Sequence, residues 1–359
     1  MNDVEDAQSA DLLQCDGTSN SSGTFSFRKT GLNENTTYYY RAYVREWNGQ
    51  TQDWEFRYAS QALSFTTTAQ EDYVPGGWLE MPAWTTSGMS GTTTSPLSDL
   101  HPLTHYATLN GRQARNYSCL YDPAMFASYW VAYPLCFDHV NGSGRSDCFA
   151  YDPDVPTSKQ TNLTNGAYGV SINTPNYTSN YYARGHQIAN ADRNGNDAMC
   201  EQTFYMTNLT PQIQNGFNGG IWQNLEEAVR GLISSDTSSQ DTVYVVTGAS
   251  FRKKTDGTET ITTITNTRDG KTVPVPNYYW KALLKVTWDN GAVVSAKSIA
   301  FWYPHQDLKG QSYYASEYVV SVAQIQTWTG FDLFHNLPDD IETAAEANTS
   351  WSDFQNFSF

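Results

Sequence analysis

The chain is short of charge, and shorter still of positive charge. Only 16% of its 359 residues are charged, and 21 basic residues face 37 acidic ones, a net charge of −16. Taken alone, this argues against a nucleic-acid partner, because binding phosphate draws on Lys and Arg. The distribution changes that reading. Residues 1–100 hold 5 basic and 13 acidic side chains, and residues 331–359 hold 6 acids and no Lys or Arg. The stretch between, with 16 basic and 18 acidic residues, is nearly balanced and leaves room for a local basic groove.

Other absences narrow the classes further. None of the five cysteines (Cys15, Cys119, Cys136, Cys148, Cys200) forms a CxxC pair, which argues against a zinc ribbon. Cys136 and Cys148 flank a turn-like HVNGSG and are candidates for a hairpin disulfide, with Cys119 and Cys200 for a second; free buried thiols are the alternative. No run approaches the roughly 20 apolar residues of a membrane span. The polar, acidic start is not a signal peptide, so this chain does not itself carry an export signal. There is no GxSxG nucleophile elbow. His101 and His105 have the spacing of a zinc-protease helix, but Pro102 interrupts it and no acid is suitably placed.

What is abundant is aromatic: 24 Tyr, 16 Phe and 11 Trp. Polarity comes from Asn, Thr, Ser, Gln and Gly rather than charge. This pattern is common in extracellular bacterial proteins, so a secreted or cell-surface location is expected. Residues 1–22 are polar and without core-forming pattern. Between 24 and 67, aromatic and β-branched residues alternate with polar ones, predicting short strands. Residues 69–98 read as a linker, 99–345 as the main domain and 346–359 as a tail, after an N-terminal β segment of 1–68.

Within the main domain, 128–137 reads as a strand and 144–153 as its return. A polar loop spans 154–178, and 181–190 reads as a strand end running into a loop. Asn218, Trp222, Leu225 and Val229 recur at +4, +3 and +4, predicting an amphipathic helix over 217–234. Strands are predicted at 241–251, 278–288 and 293–303. The domain is α+β, with an antiparallel, twisted sheet and helices on its faces.

The chemistry concentrates in 181–227. A lone histidine is more often structural than catalytic. His186, however, follows Arg184-Gly185 on an apolar strand and precedes polar residues, which places it near a sheet edge or cleft. Downstream, a Gly- and Asn-rich loop leads to Asn218 in the first turn of the predicted helix. A helix N-terminus favours anions, and an amide oxygen is a hard neutral ligand that suits Mg2+. His, Arg, Asn and a carboxylate together form a toolkit for phosphodiester cleavage.

The spacing says more. Arg184-Gly185-His186, then Asn208-Leu209-Thr210-Pro211-Gln212, then Asn218, Gly220, Trp222, Leu225 and Glu226 resemble the DRGH, N-x-TPQ and N-x-G-x-W-x-x-LE motifs of the DNA/RNA non-specific endonuclease family. Upstream, WVAYPL and GSGRSDCFAYDP, and downstream, VYVVTGASF and VPVPNYYWK, extend the likeness over roughly 100–340. The resemblance implies a ββα-metal nuclease domain that cuts DNA and RNA to oligonucleotides with 5′-phosphate ends. It implies His186 as general base and Asn218 as direct ligand of Mg2+, with Mn2+ or another divalent cation as the alternative. By the same likeness Arg145 stabilises the phosphoryl oxygens and Glu226 orients water and neighbours. Asn208 and Gln212 support the site through hydrogen bonds, while Arg184 positions phosphate or braces the loop. One departure is Ala183, where the family carries Asp.

The segment GLNENTTYYYRAYV…SFTTT resembles the second half of a fibronectin type III domain, with Leu32, Tyr38 and Tyr40 in the tyrosine-corner region. Such modules space domains or contact another surface protein. The rival reading is therefore a surface adhesin or binding protein whose nuclease domain has lost activity. A homo-oligomer is compatible with either.

Overall fold

The computed structural model describes residues 37–66, 78–83, 100, 102–142, 147–233 and 241–359. The chain divides into two compact units, Met1–Tyr73 and Val74–Phe359. In the first, strand β1 (Thr37–Tyr40) pairs antiparallel with β4 (Leu63–Thr66), and β2 (Tyr43–Asn48) with β3 (Asp53–Tyr58). These are two separate two-stranded ladders. Rings pack within the β2–β3 ladder, with Trp47 edge-on to Trp54 at 5.4 Å. Leu32, part of the fibronectin-like pattern, lies outside the described residues.

The second unit is built on a seven-stranded antiparallel sheet. Its strands are β5 (Leu103–Leu109), β6 (Arg112–Asp122), β7 (Ala127–Leu135), β11 (Val243–Ser250), β14 (Tyr278–Asp289), β15 (Ala292–Pro304) and β16 (Val319–Val320), in the spatial order β16-β15-β14-β11-β7-β6-β5. The sequence dictates this directly. Asn110-Gly111 and Asn290-Gly291, both pairs with positive φ, close the β5–β6 and β14–β15 hairpins. Paired left-handed residues form the tight turn whose twist matches the flanking strands. Side chains alternate between two cores, as period 2 requires. Val131, Tyr133, Val245, Tyr279, Leu283 and Phe301 face one, and Trp130, Ala132, Val246, Trp280, Ala282 and Trp302 the other.

On the first face lies a ladder of β8 (Ser171–Thr174), β9 (Tyr177–His186) and β10 (Leu209–Ile213). A wound turn, Gln214–Trp222, follows and leads into helix α3 (Gln223–Arg230), giving a β-β-α unit. Phe217, Ile221, Trp222, Leu225 and Val229 bury themselves against the sheet there. On the opposite face helix α4 (Val322–Thr329) contributes Val322 and Ile325, and the loop after it Phe331, Leu333 and Phe334. Short helices α1 (Phe137–Val140) and α2 (Asp197–Gln202) precede α3, and α5 (Asp339–Glu346) and α6 (Trp351–Gln355) end the chain; strands β12 (Thr263–Thr265) and β13 (Thr272–Pro274) form a small hairpin. Among the described residues no helix is long and apolar enough to cross a membrane.

Several local expectations differ from what is observed. Residues 147–153 form no return strand; Ala150 makes a single bridge to Tyr205, and β7 pairs instead with β6 and β11. The helix expected over 217–234 starts only at Gln223, because Asn215, Gly216, Gly219 and Gly220 hold non-helical angles. Gly216, at φ 84°, also leaves no room for a Cβ against Asp307. Four of the five cysteines are described, and none of the four is in a disulfide; Cys119 is buried on β6 and Cys200 is buried on α2. Part of the expected linker belongs to the second unit: Ala83 bridges to Asp332, and Glu80 is buried in an ion pair with Arg115. The expected tail carries α6, whose Trp351 and Phe354 enter the core.

Candidate active site

His186 is the last residue of β9, opposite Leu209 of β10. Its ring is held by two phenyl rings, edge-on to Phe204 at 5.0 Å and tilted against Phe149 at 5.8 Å. The backbone beyond it is clamped by Asn208, which is wholly buried. The Asn208 Nδ2 donates to the carbonyls of Ile188 (3.0 Å) and Thr203 (2.7 Å), and its Oδ1 accepts from the Ile188 N–H (3.0 Å). Gln187 N–H completes the clamp by donating to the Asn208 carbonyl at 3.0 Å. A short, rigid amide with one donor group and one acceptor is what such a double bracket requires.

Strand alternation sorts the other motif residues. Arg184 shares the His186 face, while Gln212 lies with Gly185 and Ala183 on the other. The Arg184 guanidinium sits 3.3 Å from the Phe149 ring centroid and donates to the Leu163 carbonyl at 3.1 Å, so it braces the ring that touches His186. The Gln212 side chain lies across Gly185, where any Cβ would overlap it; this is why the position is glycine. Gln212 is fully buried, near the Tyr279 hydroxyl, yet its amide atoms make no well-formed hydrogen bond among the described residues. Ala183, 6% exposed, pairs with Gln212 in the ladder.

Asn218 sits half-buried in the wound turn rather than in a regular helix. Asn180 of β9 ties that turn down, accepting from the Asn215 N–H and donating to its carbonyl, both at 2.9 Å. The ring of His305 adds a second tie: Nε2 accepts from the Ile213 N–H at 2.8 Å, and Nδ1 meets the Pro276 carbonyl at 2.8 Å. Nδ1 must therefore carry the proton, and burial pushes the pKa of His305 down to about 4. The Asn218 Nδ2 donates to Gln214 Oε1 at 3.0 Å, and no hydrogen bond among the described residues uses its Oδ1. That leaves a neutral, hard oxygen available, which fits a divalent cation that keeps most of its water.

Glu226 is half-buried on α3, and desolvation holds its carboxyl well above the usual range, with Asp192 adding to the effect and Lys281 and Arg230 opposing it. Around it lies a set of charges that the sequence reading did not assign. Asp192 accepts from Arg230 at 2.9 Å and from the Tyr133 hydroxyl at 2.8 Å. Lys281, fully buried, is depressed by desolvation and faces the Trp222 ring at 5.0 Å. Arg230 was detectable as the residue one helical turn beyond Glu226, and Lys281 as the lysine of the YWK segment. Arg145 lies outside the described residues.

A second group, His105, Asp152 and Asp154, also lies on this unit. His105 Nε2 is 3.2 Å from Asp152 and Nδ1 is 3.8 Å from Asp154, so the two ring nitrogens diverge towards different carboxylates. Thr207 and the Asp154 N–H already donate to Asp152. One potential ligand atom from each of the three lies within 4.8 Å of the others, and the His105 ring packs against Tyr117 at 4.6 Å and Tyr205 at 5.4 Å.

Residues 103–340 match the family model described as DNA/RNA non-specific endonuclease. The chain belongs to that family. It is accordingly a nuclease, a phosphodiester hydrolase. Among curated relatives, a nuclease of Serratia marcescens is 26% identical over 263 residues, covering 72% of this chain and 83% of that protein. A nuclease of a Nostoc species is 26% identical over 235 residues, covering 64% and 75%. Human mitochondrial endonuclease G is 29% identical over 191 residues, covering 50% of this chain and 54% of its own length. A solved structure of an EndoG/EndoGI complex aligns with a TM-score of 0.45 at 23% identity, covering 67% of this chain and 89% of that one.

Proposed function

We propose that this non-specific endonuclease cuts DNA and RNA by metal-assisted hydrolysis, with His186 as general base, and leaves 5′-phosphate ends. The observation that carries the reading is the way His186 is held: its ring sits between Phe149 and Phe204, and the chain behind it is bracketed by Asn208. A base so fixed does not need to be ordered during the reaction. Its unprotonated nitrogen takes the proton of the attacking water, a contribution of about 10²–10⁴-fold.

Asn218 Oδ1 is the protein oxygen that would hold a Mg2+ ion, or Mn2+ in its place. When bound, the ion offsets negative charge on the phosphoryl and departing oxygens. Glu226, on the helix that follows, orients water and neighbouring polar groups. Arg145 answers the charge that builds on the phosphoryl oxygens, and Arg184 fixes the local frame. Nothing in this set addresses base edges, in keeping with cleavage that ignores sequence. The N-terminal unit is assigned no chemistry.

Supercoiled plasmid and total RNA, incubated with the protein in Mg2+ and in EDTA, test the reading. Both are degraded with Mg2+ and spared with EDTA. Asn218→Ala raises the Mg2+ concentration needed for half-maximal rate. An unchanged Mg2+ dependence in that variant overturns the ligand assignment.

A further inference from the structure

We propose that Asp332, Glu342 and Glu346 form a binding site for a divalent cation of the calcium type, on the opposite side of the sheet from helix α3. Each offers a carboxylate oxygen, and the three oxygens lie within 4.8 Å of one another. Oxygens each about 2.4 Å from one calcium ion lie at most about 4.8 Å apart, so the group is compact enough to share an ion. Glu342 and Glu346 stand one turn apart on α5. Asp332 comes from the loop after α4 and is fixed by its carbonyl, which accepts from the Ala83 N–H at 2.7 Å. The neighbouring Phe331, Leu333 and Phe334 pack into the core with Trp130 and Trp280, whereas Trp222 and Leu225 of the nuclease centre pack on the other face.

The second observation is the state of Glu346. It is 9% exposed, and its Oε2 accepts from Gln326 Nε2 at 3.0 Å. Its Oε1 is buried with no hydrogen-bond partner among the described residues. An ionised oxygen left this way is costly unless a proton or a cation meets it. No ion pair among the described residues reaches any of the three carboxylates. The other titratable groups facing them are Asp339 and His335, and residues 331–359 contain no Lys or Arg. Burial, and after it the neighbouring carboxylates, push both glutamates up to about 7. The donors are all hard oxygens, which excludes a soft-ligand preference. Three carboxylates around one ion suit the flexible six- to eight-oxygen shell of calcium better than the small, water-retaining shell of magnesium.

The test is thermal melting of the full chain carrying Asn218→Ala, which removes the other proposed cation ligand, in EDTA, Ca2+ and Mg2+. At a hundredfold excess over Kd, Ca2+ should raise Tm by roughly 5 °C, and Mg2+ at equal concentration by less. Adding Glu342→Gln should abolish the Ca2+ shift while leaving Tm in EDTA equal or higher, because a repulsion is relieved. Asp332→Asn, at an exposed position, gives the same answer should the first variant fail to fold. A Ca2+ shift that survives either substitution, a parent that does not respond to Ca2+, or a larger response to Mg2+ overturns the proposal.

Discussion

Asn208→Ala is the most informative single perturbation of the scaffold. The side chain removed makes three hydrogen bonds, all in a fully buried place: to the carbonyls of Ile188 and Thr203, and from the Ile188 N–H. Alanine supplies none of these. A buried group left unsatisfied costs about 1–3 kcal/mol, and adjacent losses relax together rather than adding. A total of about 3–5 kcal/mol follows. For a domain of this size, that lowers Tm by roughly 6–20 °C. Activity should fall further than unfolding explains, because residue 188 is released just beyond His186. Urea melts at 25 °C and plasmid cleavage well below the variant's Tm separate the two effects. A Tm within 2 °C of the parent, with full cleavage, would refute the claim that this bracket carries load.

Three other outcomes follow from the site. Gly185→Ala forces its Cβ into the Gln212 side chain, so urea melts should show a loss of about 1–3 kcal/mol, and Gln212→Ala in the same chain should recover part of it. Glu226→Gln removes a carboxylate that burial and Asp192 already disfavour, so the melting temperature should hold or rise while the cleavage rate drops about 10–100-fold. His305 is depressed to about 4 in the fold against about 6.5 unfolded, so its contribution is fully present above pH 6.5 and is lost as pH falls towards 4, on the order of 3 kcal/mol. Denaturation of the parent and of His305→Asn across that window checks this: the parent should lose more stability on acidification than the variant, and parallel curves would exclude His305 as the cause.

The sheet was legible because its strands are buried on both faces or alternate cleanly: the 241–251, 278–288 and 293–303 runs are β-branched and aromatic, and Asn-Gly pairs end two of the hairpins. The helix start was misread because Asn218, Trp222, Leu225 and Val229 keep a helical spacing across residues that are not helical. Gly216, Gly219 and Gly220 decide the matter locally, and the packing of Gly216 against Asp307 is set by a distant segment. Residues 147–153, the described part of the strand expected over 144–153, form no strand for a related reason: the edge of β7 is taken by β11, which arrives about a hundred residues later. Around the site, His186, Asn208 and Gln212 were readable as a motif. Asp192 and Tyr133 were not, because what makes them matter is a buried charge balance with Glu226, Arg230 and Lys281 assembled from four separate elements. The acidic trio at Asp332, Glu342 and Glu346 likewise shows in sequence only as net negative charge.

The measurement that bears most directly on the account is plasmid cleavage by His186→Ala at saturating Mg2+, beside a melting curve of the same preparation. Removing the imidazole should cost at least about a hundredfold in rate with a folded, cooperative melt. Cleavage at the parental rate by the folded variant would contradict the assignment of His186 as the base.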